Sequence, residues 1–584
     1  MEQSTSRKSK QSGASNCPAA LGKRILQRAR TPQFKKYLQN LLIELCKVDT
    51  TPNPDISVMR AAEAKCFAIL ERELAAMKFP GGTMERKPVN PQISKHKNYS
   101  LLHFTKTARR PKGLTAKEAY KGRTNLVCVF PGSNKGAGKS LALDAHVDVV
   151  APYFPPTVKG DLVLGRGACD DKGPAVSLLA AFKLLSDVLG EKGLALNRNV
   201  LGFFVVEEET GGNGSLSLAM DRKLKKLYES VVVCECASLN IYPANRGAVW
   251  YKTVLGKPAK GSLLELASFV IEELEKEGAS IRAESRHKLF PQRPVQTCHG
   301  IIGPFGEHPS RICGKVAFTI HFQKPVSAET ETLVQDCLDF GLASYVGLYG
   351  DKTKVTDVAT GRPMVARHFT ATRKGRSITV EVFGATGHMG AIRERDGAIT
   401  KMSHLVRSLV YSRARIESSA GRMELQLAGK PDGKSLVLEG GQGFVPTHRI
   451  EDVMDRMRRA AQRGAASYLL RLGLPAKAAS VEMTYEKLHN VAFDGDPDSY
   501  SMRNAIASAR ECGIWKEQPV LGWTVSCDSR LFATEYPGME VLTVGPGELV
   551  YAHSDQEQIR MEDVVRGAEF LALLIARQAG VSPA

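Results

Sequence analysis

Four short apolar runs, each ending in acids or a histidine and separated by helical stretches, constrain this chain more than any other feature. Residues 141–143 run into Asp144, His146 and Asp148; 200–206 run into the consecutive glutamates 207–209. Residues 231–233 run into Cys234-Glu235, and 541–544 into Gly545-Pro546-Gly547 and then His553. Apolar strands alternating with helices read as an α/β fold with a mostly parallel sheet. In such sheets ligands gather outside the carboxyl ends of the strands, where these polar groups would converge.

On an extended strand residues i and i+2 face the same way, so His146 and Asp148 are expected to point together. A metal-ligating histidine gives its second ring nitrogen to such a carboxylate. After a Pro-rich loop, a Gly-Arg-Gly turn delivers Asp170 and Asp171 just before a helix. Taken singly, these groups also read as a core histidine, a helix cap and a solvated turn. Together, His146, Asp148, Asp170, Glu208, Glu209, Glu235 and His553 put two imidazoles among several carboxylates. That set suits two Zn²⁺ ions, with Co²⁺ or Mn²⁺ as alternatives.

Three-and-four spacing of apolar residues predicts helices over 34–48, 58–77 and 175–189, with 88–124 as a polar surface excursion. Strands at 125–130 and 141–143 are expected to be neighbours. From 248 to 482 the texture changes to long helices between β-rich segments, an α+β insert, and αβ alternation resumes near Asp498. The expected organisation is therefore a tail over 1–33, a catalytic unit over 34–247 and 483–584, and an enlarged inserted lid over 248–482.

The 12 cysteines are scattered without a paired framework, which fits reduced thiols. No signal peptide is read at the start and no apolar stretch reaches a membrane span, so a cytoplasmic protein is expected. The net charge is +19, but residues 1–37 hold nine Lys or Arg against one Glu, so much of the excess is local. That tail reads as a phosphate-binding or targeting arm, or as a solvated disordered segment. Without an aromatic-basic platform, nucleic acid is not expected as a partner, and an anionic substrate is the simpler explanation.

Five separated stretches, DAHVDVV, GRGACDDKG, EETGGNGS, CECASL and GPGELVYAHSDQEQI, occur in the order of one family. The chain closely resembles the di-zinc peptidases and deacylases that include acetylornithine deacetylase, succinyl-diaminopimelate desuccinylase, glutamate carboxypeptidase and the bacterial dipeptidases. The resemblance implies a zinc-peptidase-like fold with His146 and Glu235 on one ion, Glu209 and His553 on the other, and Asp170 bridging. It implies Asp148 orienting His146, Glu208 as general acid/base, and a cis peptide between Asp170 and Asp171. His388 resembles the lid histidine that steadies the reacting carbonyl oxygen. Arg530, Gly545 and Gly547 are expected at substrate-binding positions, Arg530 either clamping a carboxylate or pairing with Asp528.

The chain departs from the family where Cys236 follows Glu235 in place of the usual proline. The implied activity is metal-dependent cleavage of an amide bond in a short peptide, with N-acyl amino acid deacylation as the alternative. A non-catalytic peptide- or nucleic-acid-binding protein is the reading outside that class. Two stretches of the insert, 250–262 and 378–390, look like lid beginnings, and only the second carries a histidine. His388 is accordingly expected to reach the metals of its own chain in a monomer, with a lid-mediated homodimer as the alternative.

Overall fold

The computed structural model describes residues 19–133, 140–357, 360–429, 433–485 and 489–584. Its centre is a six-stranded sheet in the order Thr83–Pro88, Thr124–Phe130, Val200–Val205, Ser140–His146, Tyr228–Cys234, Glu540–Val544. The last four strands are parallel and the first two antiparallel. Every residue of Ser140–His146 and of Val200–Val205 is buried, because the sheet is covered on both faces. Alternation sorts the side chains: Leu141 and Leu143 join the core with helices Lys172–Lys192 and Met561–Ala579, while Ala142 faces the core of Phe203, Val231 and Phe532.

Three local expectations are corrected. The strands Thr124–Phe130 and Ser140–His146 are not neighbours, since Val200–Val205 lies between them. The segment after Thr83–Pro88 is more than a surface excursion. Ser100 and Thr105 are buried, and Ser100 N–H donates to Asn213 Oδ1 at 3.1 Å while its hydroxyl donates to the Gly211 carbonyl at 3.2 Å. Hydrogen bonding rather than apolar content holds this stretch against the sheet's carboxyl end.

The expected tail is also shorter than 1–33. Residues 1–18 lie outside the described residues, but Ala19–Ala29 is a helix, with Leu21, Ile25 and Ala29 on its buried stripe. It packs on Lys172–Lys192 and Met561–Ala579, and its arginines pair with the helix beneath: Arg24 with Glu191 at 3.0 Å, Arg28 with Asp187 at 2.9 Å. Part of the apparent excess of basic charge is thus matched. Among the described residues, Lys172–Lys192 is the one helix long and apolar enough to cross a membrane, and 83% of its apolar window is buried inside the protein.

Between Cys234 and Glu540 the chain builds a second core around two antiparallel sheets. One contains Thr297–Ile302, Ser435–Phe444, Gly247–Gly256 and Val481–Thr484, with His489–Asn490 at one side; the other runs Phe369–Lys374, Ser377–Phe383, Lys315–Phe322, Met423–Leu427. Helices Leu263–Glu284, Ala328–Tyr349, Ala398–Tyr411 and Ile450–Arg471 cover them. Each lid-like beginning starts its own half: Gly247–Gly256 leads into Leu263–Glu284, and Ser377–Phe383 into Ala398–Tyr411. Strands Gly247–Gly256 and Val481–Thr484 pair directly, so the chain enters and leaves this lid side by side.

Candidate metal centre

The parallel strands stop where their apolar residues stop, and their polar ends meet. His146 is the last residue of its strand, so Asp148 lies beyond the strand and pleat alternation does not place it. Its main chain does the orienting: His146 Nδ1 lies 3.0 Å from the Asp148 carbonyl and 3.5 Å from its carboxylate. That carboxylate accepts from Glu208 N–H at 3.1 Å and Glu209 N–H at 3.0 Å. Asp148 therefore holds the glutamate run in place as well as the histidine.

Asp170 sits between the two imidazoles. One of its oxygens is 3.1 Å from His146 Nε2 and the other 3.2 Å from His553 Nε2, which is also 2.9 Å from Glu209 Oε1. Two groups of potential ligand atoms result, His146 with Asp170, Asp171 and Glu235, and Asp170 with Glu209 and His553. They share one carboxylate and contain every metal position anticipated from the sequence. Asp171 was not among those positions. Its Oδ2 accepts the main-chain N–H of His146 at 3.1 Å, while Oδ1 has no partner among the described residues. The Asp170–Asp171 peptide is cis.

The charge balance shows that these residues fit cations. Burial first, then neighbouring carboxylates, pushes Asp171, Glu208 and Glu235 well above the carboxylate range. Burial alone would lower both imidazoles and raise Asp170. Asp171 and its neighbours instead raise His146, Glu209 and Asp170 bring His553 up to about 9, and the two histidines hold Asp170 far down. A cluster of buried acids around two imidazoles lacks positive charge, and divalent metals on nitrogen and oxygen donors supply it.

The three glutamates have separate fates. Glu207, at positive φ, is locked inward: it pairs with the buried Arg123, accepts from Tyr120 Oη at 2.7 Å and lies 3.3 Å from Asn213 Nδ2. Arg123 in turn grips Glu63. Glu209 faces His553, and Glu208, half-buried, joins neither ligand group.

From the lid, His388 reaches the same place within its own chain. Its ring centroid is 4.6 Å from that of His553, and its N–H donates to the Ala552 carbonyl at 2.9 Å. Gly390 N–H donates to His388 Nδ1 at 2.9 Å, so the neutral ring carries its proton on Nε2. Burial, then the charge of His553, keeps this imidazole well below its ordinary value and hence neutral.

The structure places the three expected substrate-binding residues in structural roles. Arg530 is 1% exposed and donates from Nη2 to the Gly211 carbonyl at 3.0 Å; it lies under the site rather than at its mouth, and no ion pair with Asp528 within 4.0 Å forms. Gly545 is needed for close approach, because a Cβ there would lie 2.3 Å from the Glu235 carbonyl. Gly547, at φ +92, would place one 2.9 Å from Cys169 Sγ. Their carbonyls accept from Leu239 and Ser238 N–H, each at 2.8 Å, so both glycines serve to lock the Glu235 turn.

Two buried residues outside the sequence reading complete the frame. Glu557 accepts the N–H groups of Gly167, Cys169 and Asp170 at 2.9, 3.1 and 3.1 Å and pairs with Arg166, fixing the loop that presents Asp170. Its place in the HSDQEQI stretch was the available signal. Arg311, from the lid, donates from Nε to the carbonyl of His553 at 2.9 Å and pairs with Asp555. Beside Glu209 opens a cleft of about 400 Å³, walled by Leu101, Phe104 and Val150 on one side and by Lys252 and Glu439 of the lid on the other.

The family model described as peptidase family M20/M25/M40 matches residues 142–577. A putative LysW-lysine/LysW-ornithine hydrolase of Pyrococcus abyssi is 33% identical over 109 residues, 19% of this chain and 28% of that protein. A probable carboxypeptidase of Arthroderma otae is 28% identical over 172 residues, 27% of this chain and 36% of that protein. The matches thus span only 28% to 36% of these curated relatives. Human carnosine dipeptidase 1 superposes with a TM-score of 0.53 at 12% identity, covering 96% of this chain and 99% of the other. The dipeptidase Dug1p from Saccharomyces cerevisiae gives 0.54 at 13%, covering 97% and 100%. At these identities the likeness is one of fold.

Proposed function

From the premise that the chain belongs to peptidase family M20/M25/M40, a metal-dependent family, we propose that it hydrolyses an amide bond in a short peptide. His146, Asp171 and Glu235 on one side and Glu209 and His553 on the other would hold a pair of Zn²⁺ ions across Asp170. The observation that carries this reading is the single Asp170 carboxylate directed at two imidazoles, with Glu208 beside it and outside both ligand groups. When bound, the metals supply Lewis-acid charge beside the scissile carbonyl.

The chain's own groups do the rest. Glu208, raised by burial and then by the charge of Asp528, has the proton affinity to take a proton from the attacking water and return it to the leaving amine. Asp148, through two main-chain N–H groups, keeps that carboxylate beside the ligands. His388, neutral with its proton on Nε2, offers a hydrogen bond to the carbonyl oxygen as negative charge develops on it. The cleft gives the side chain next to the scissile bond an apolar wall and gives a charged terminus Lys252 or Glu439. Because the His388 ring reaches His553 of its own chain, a single chain suffices.

Two measurements test the reading. A panel of dipeptides against N-acyl amino acids, with metal-reconstituted protein, should show turnover of dipeptides; turnover of N-acyl amino acids alone would reassign the chain as a deacylase. Glu208→Gln should keep two metals per chain and lower kcat by about 10²- to 10⁴-fold, the usual worth of a positioned acid/base. Full activity in Glu208→Gln would remove Glu208 from the mechanism.

A further inference from the structure

Asp528 and Arg530 lie under the glutamate run, and the protein around them satisfies neither. Each is 1% exposed. Arg530 uses Nη2 on the Gly211 carbonyl, but its Nε and Nη1 have no partner among the described residues, and the oxygens of Asp528 make no well-formed hydrogen bond there, with only the Ser215 hydroxyl close enough to favour their charge. A Cβ on Gly212 would lie 2.2 Å from Asp528 Oδ1, so this carboxylate packs on the bare α-carbon of Gly212, a residue at φ +76. Fully buried charges left this open are rare in folded proteins, and their location calls for a reason.

What they lie against is the turn that presents Glu208. Gly211 N–H donates to the Glu208 carbonyl at 2.9 Å and Gly212 N–H to the Glu207 carbonyl at 2.6 Å. On one side Asp148 holds the N–H groups of Glu208 and Glu209; on the other, Arg530 and Ser100 hold the carbonyl of Gly211. The pair is thus coupled to Glu208 through the backbone of the turn.

We propose that Asp528 and Arg530 are a positioning pair for Glu208. Arg530 anchors the turn through the Gly211 carbonyl, and Asp528, packed on the bare α-carbon of Gly212, closes the turn from beneath. Neither touches substrate, so their effect is on where the Glu208 carboxylate sits. The assignment rests on Glu208 being the acid/base group.

The test uses full-length, metal-loaded Asp528→Asn, Arg530→Lys and Arg530→Met, assayed on the dipeptide selected by the substrate panel. Metal content, kcat and KM are measured separately, together with amide exchange by mass spectrometry over residues 207–213. The expected result is a kcat lower by about 10- to 100-fold in Asp528→Asn and Arg530→Met, the usual cost of removing an outer-shell partner. Metal content and KM stay near wild type, exchange over 207–213 accelerates, and Arg530→Lys recovers part of the loss. If Arg530→Met does not fold, the isosteric Asp528→Asn and Arg530→Lys decide. Wild-type kcat in Asp528→Asn overturns the assignment, as does a loss that appears only in KM or metal content. An inactive Glu208→Gln beside wild-type Asp528→Asn removes the pair alone, whereas an active Glu208→Gln removes the reading beneath it.

Discussion

The lid and the carboxyl end of the central sheet both bury charge, but in opposite ways. In the lid the main buried charges meet their opposites. Lys401 Nζ lies 2.5 Å from Asp396 Oδ2, whose other oxygen accepts from Tyr345 Oη at 2.5 Å, and Arg395 pairs with Asp357 at 2.9 Å. Glu265 is shared between Arg413 at 2.5 Å and Tyr468 at 2.7 Å. At the strand ends, Asp171, Glu208 and Glu235 are pushed upward mainly by burial and then by neighbouring acids, Asp170 among them in each case, and an oxygen of Asp171 is left without a partner among the described residues. Buried charge matched within the chain is architecture; buried charge of one sign left unmatched marks where a cation belongs.

The sharpest way to break this contrast is on the lid side. Lys401→Met leaves Asp396 buried without its cation, and breaking such a pair costs about 3 to 5 kcal/mol. Thermal or denaturant unfolding should show that loss equally with and without bound metal; a loss confined to the metal-loaded protein would mean that the lid pair serves the metal site.

His388 crosses from one region to the other. His388→Ala should keep both metals and lower kcat by about 10²- to 10³-fold, the usual worth of one donor to a developing oxyanion. Mixed with Glu208→Gln, it should recover no activity, since each chain supplies its own histidine. Recovery on mixing would show that the histidine acts between chains and that the active enzyme is an oligomer.

Much of this was legible in the sequence because strand ends are marked by abrupt changes of polarity. The helices beginning near residues 34, 58 and 175 announce themselves by spacing, and five motifs gather the ligand residues. What the sequence hides is orientation and partnership. Only the register of the EETGGNGS motif separates Glu207 from Glu208 in the sequence; the physical distinction comes from Arg123, far away in the chain and buried with Glu63. For Arg530 beside Asp528 the sequence offers a carboxylate clamp or an ion pair, and its burial beneath the Gly211–Gly212 turn has no sequence mark. The helix Ala19–Ala29 was obscured by its basic residues, whose acidic partners lie on Lys172–Lys192.

The contrast also has a pH signature. In the metal-free protein Asp171, Glu208 and Glu235 lie above their unfolded values, and His553 rises from 6.5 to about 9. Between the ordinary carboxylate range and about pH 9 the folded chain then binds more protons than the unfolded one, so its stability falls as pH rises through that window. Two groups have the opposite sign: Asp170, held low by the histidines, acts below the ordinary carboxylate range, and His388, kept low by burial and His553, offsets part of the effect below pH 6.5. The His553 shift alone is worth on the order of 3 kcal/mol. Melting temperatures of chelator-treated protein should therefore fall from about pH 5 to pH 9, and those of metal-loaded protein should fall less, because metal affinity rises as the ligands lose protons. Parallel curves would mean that the cluster does not hold metal.

The smallest expected effect separates the two regions most finely. Glu235 is pushed well above the carboxylate range by burial and then by the charges of Asp171, Cys527 and Glu208, with no cation among the principal influences. In metal-free protein that upward push favours the neutral carboxyl, so Glu235→Gln changes shape and charge little and should alter stability by less than about 0.5 kcal/mol. In metal-loaded protein the same change removes an anionic ligand and should lower metal occupancy and the metal-dependent rise in melting temperature. A lid pair behaves otherwise, since Lys401→Met costs the same in both states. If Glu235→Gln instead destabilises the metal-free protein as much as Lys401→Met does, the strand-end carboxylates are structural partners like those of the lid, and the distinction between matched and unmatched buried charge fails for this protein.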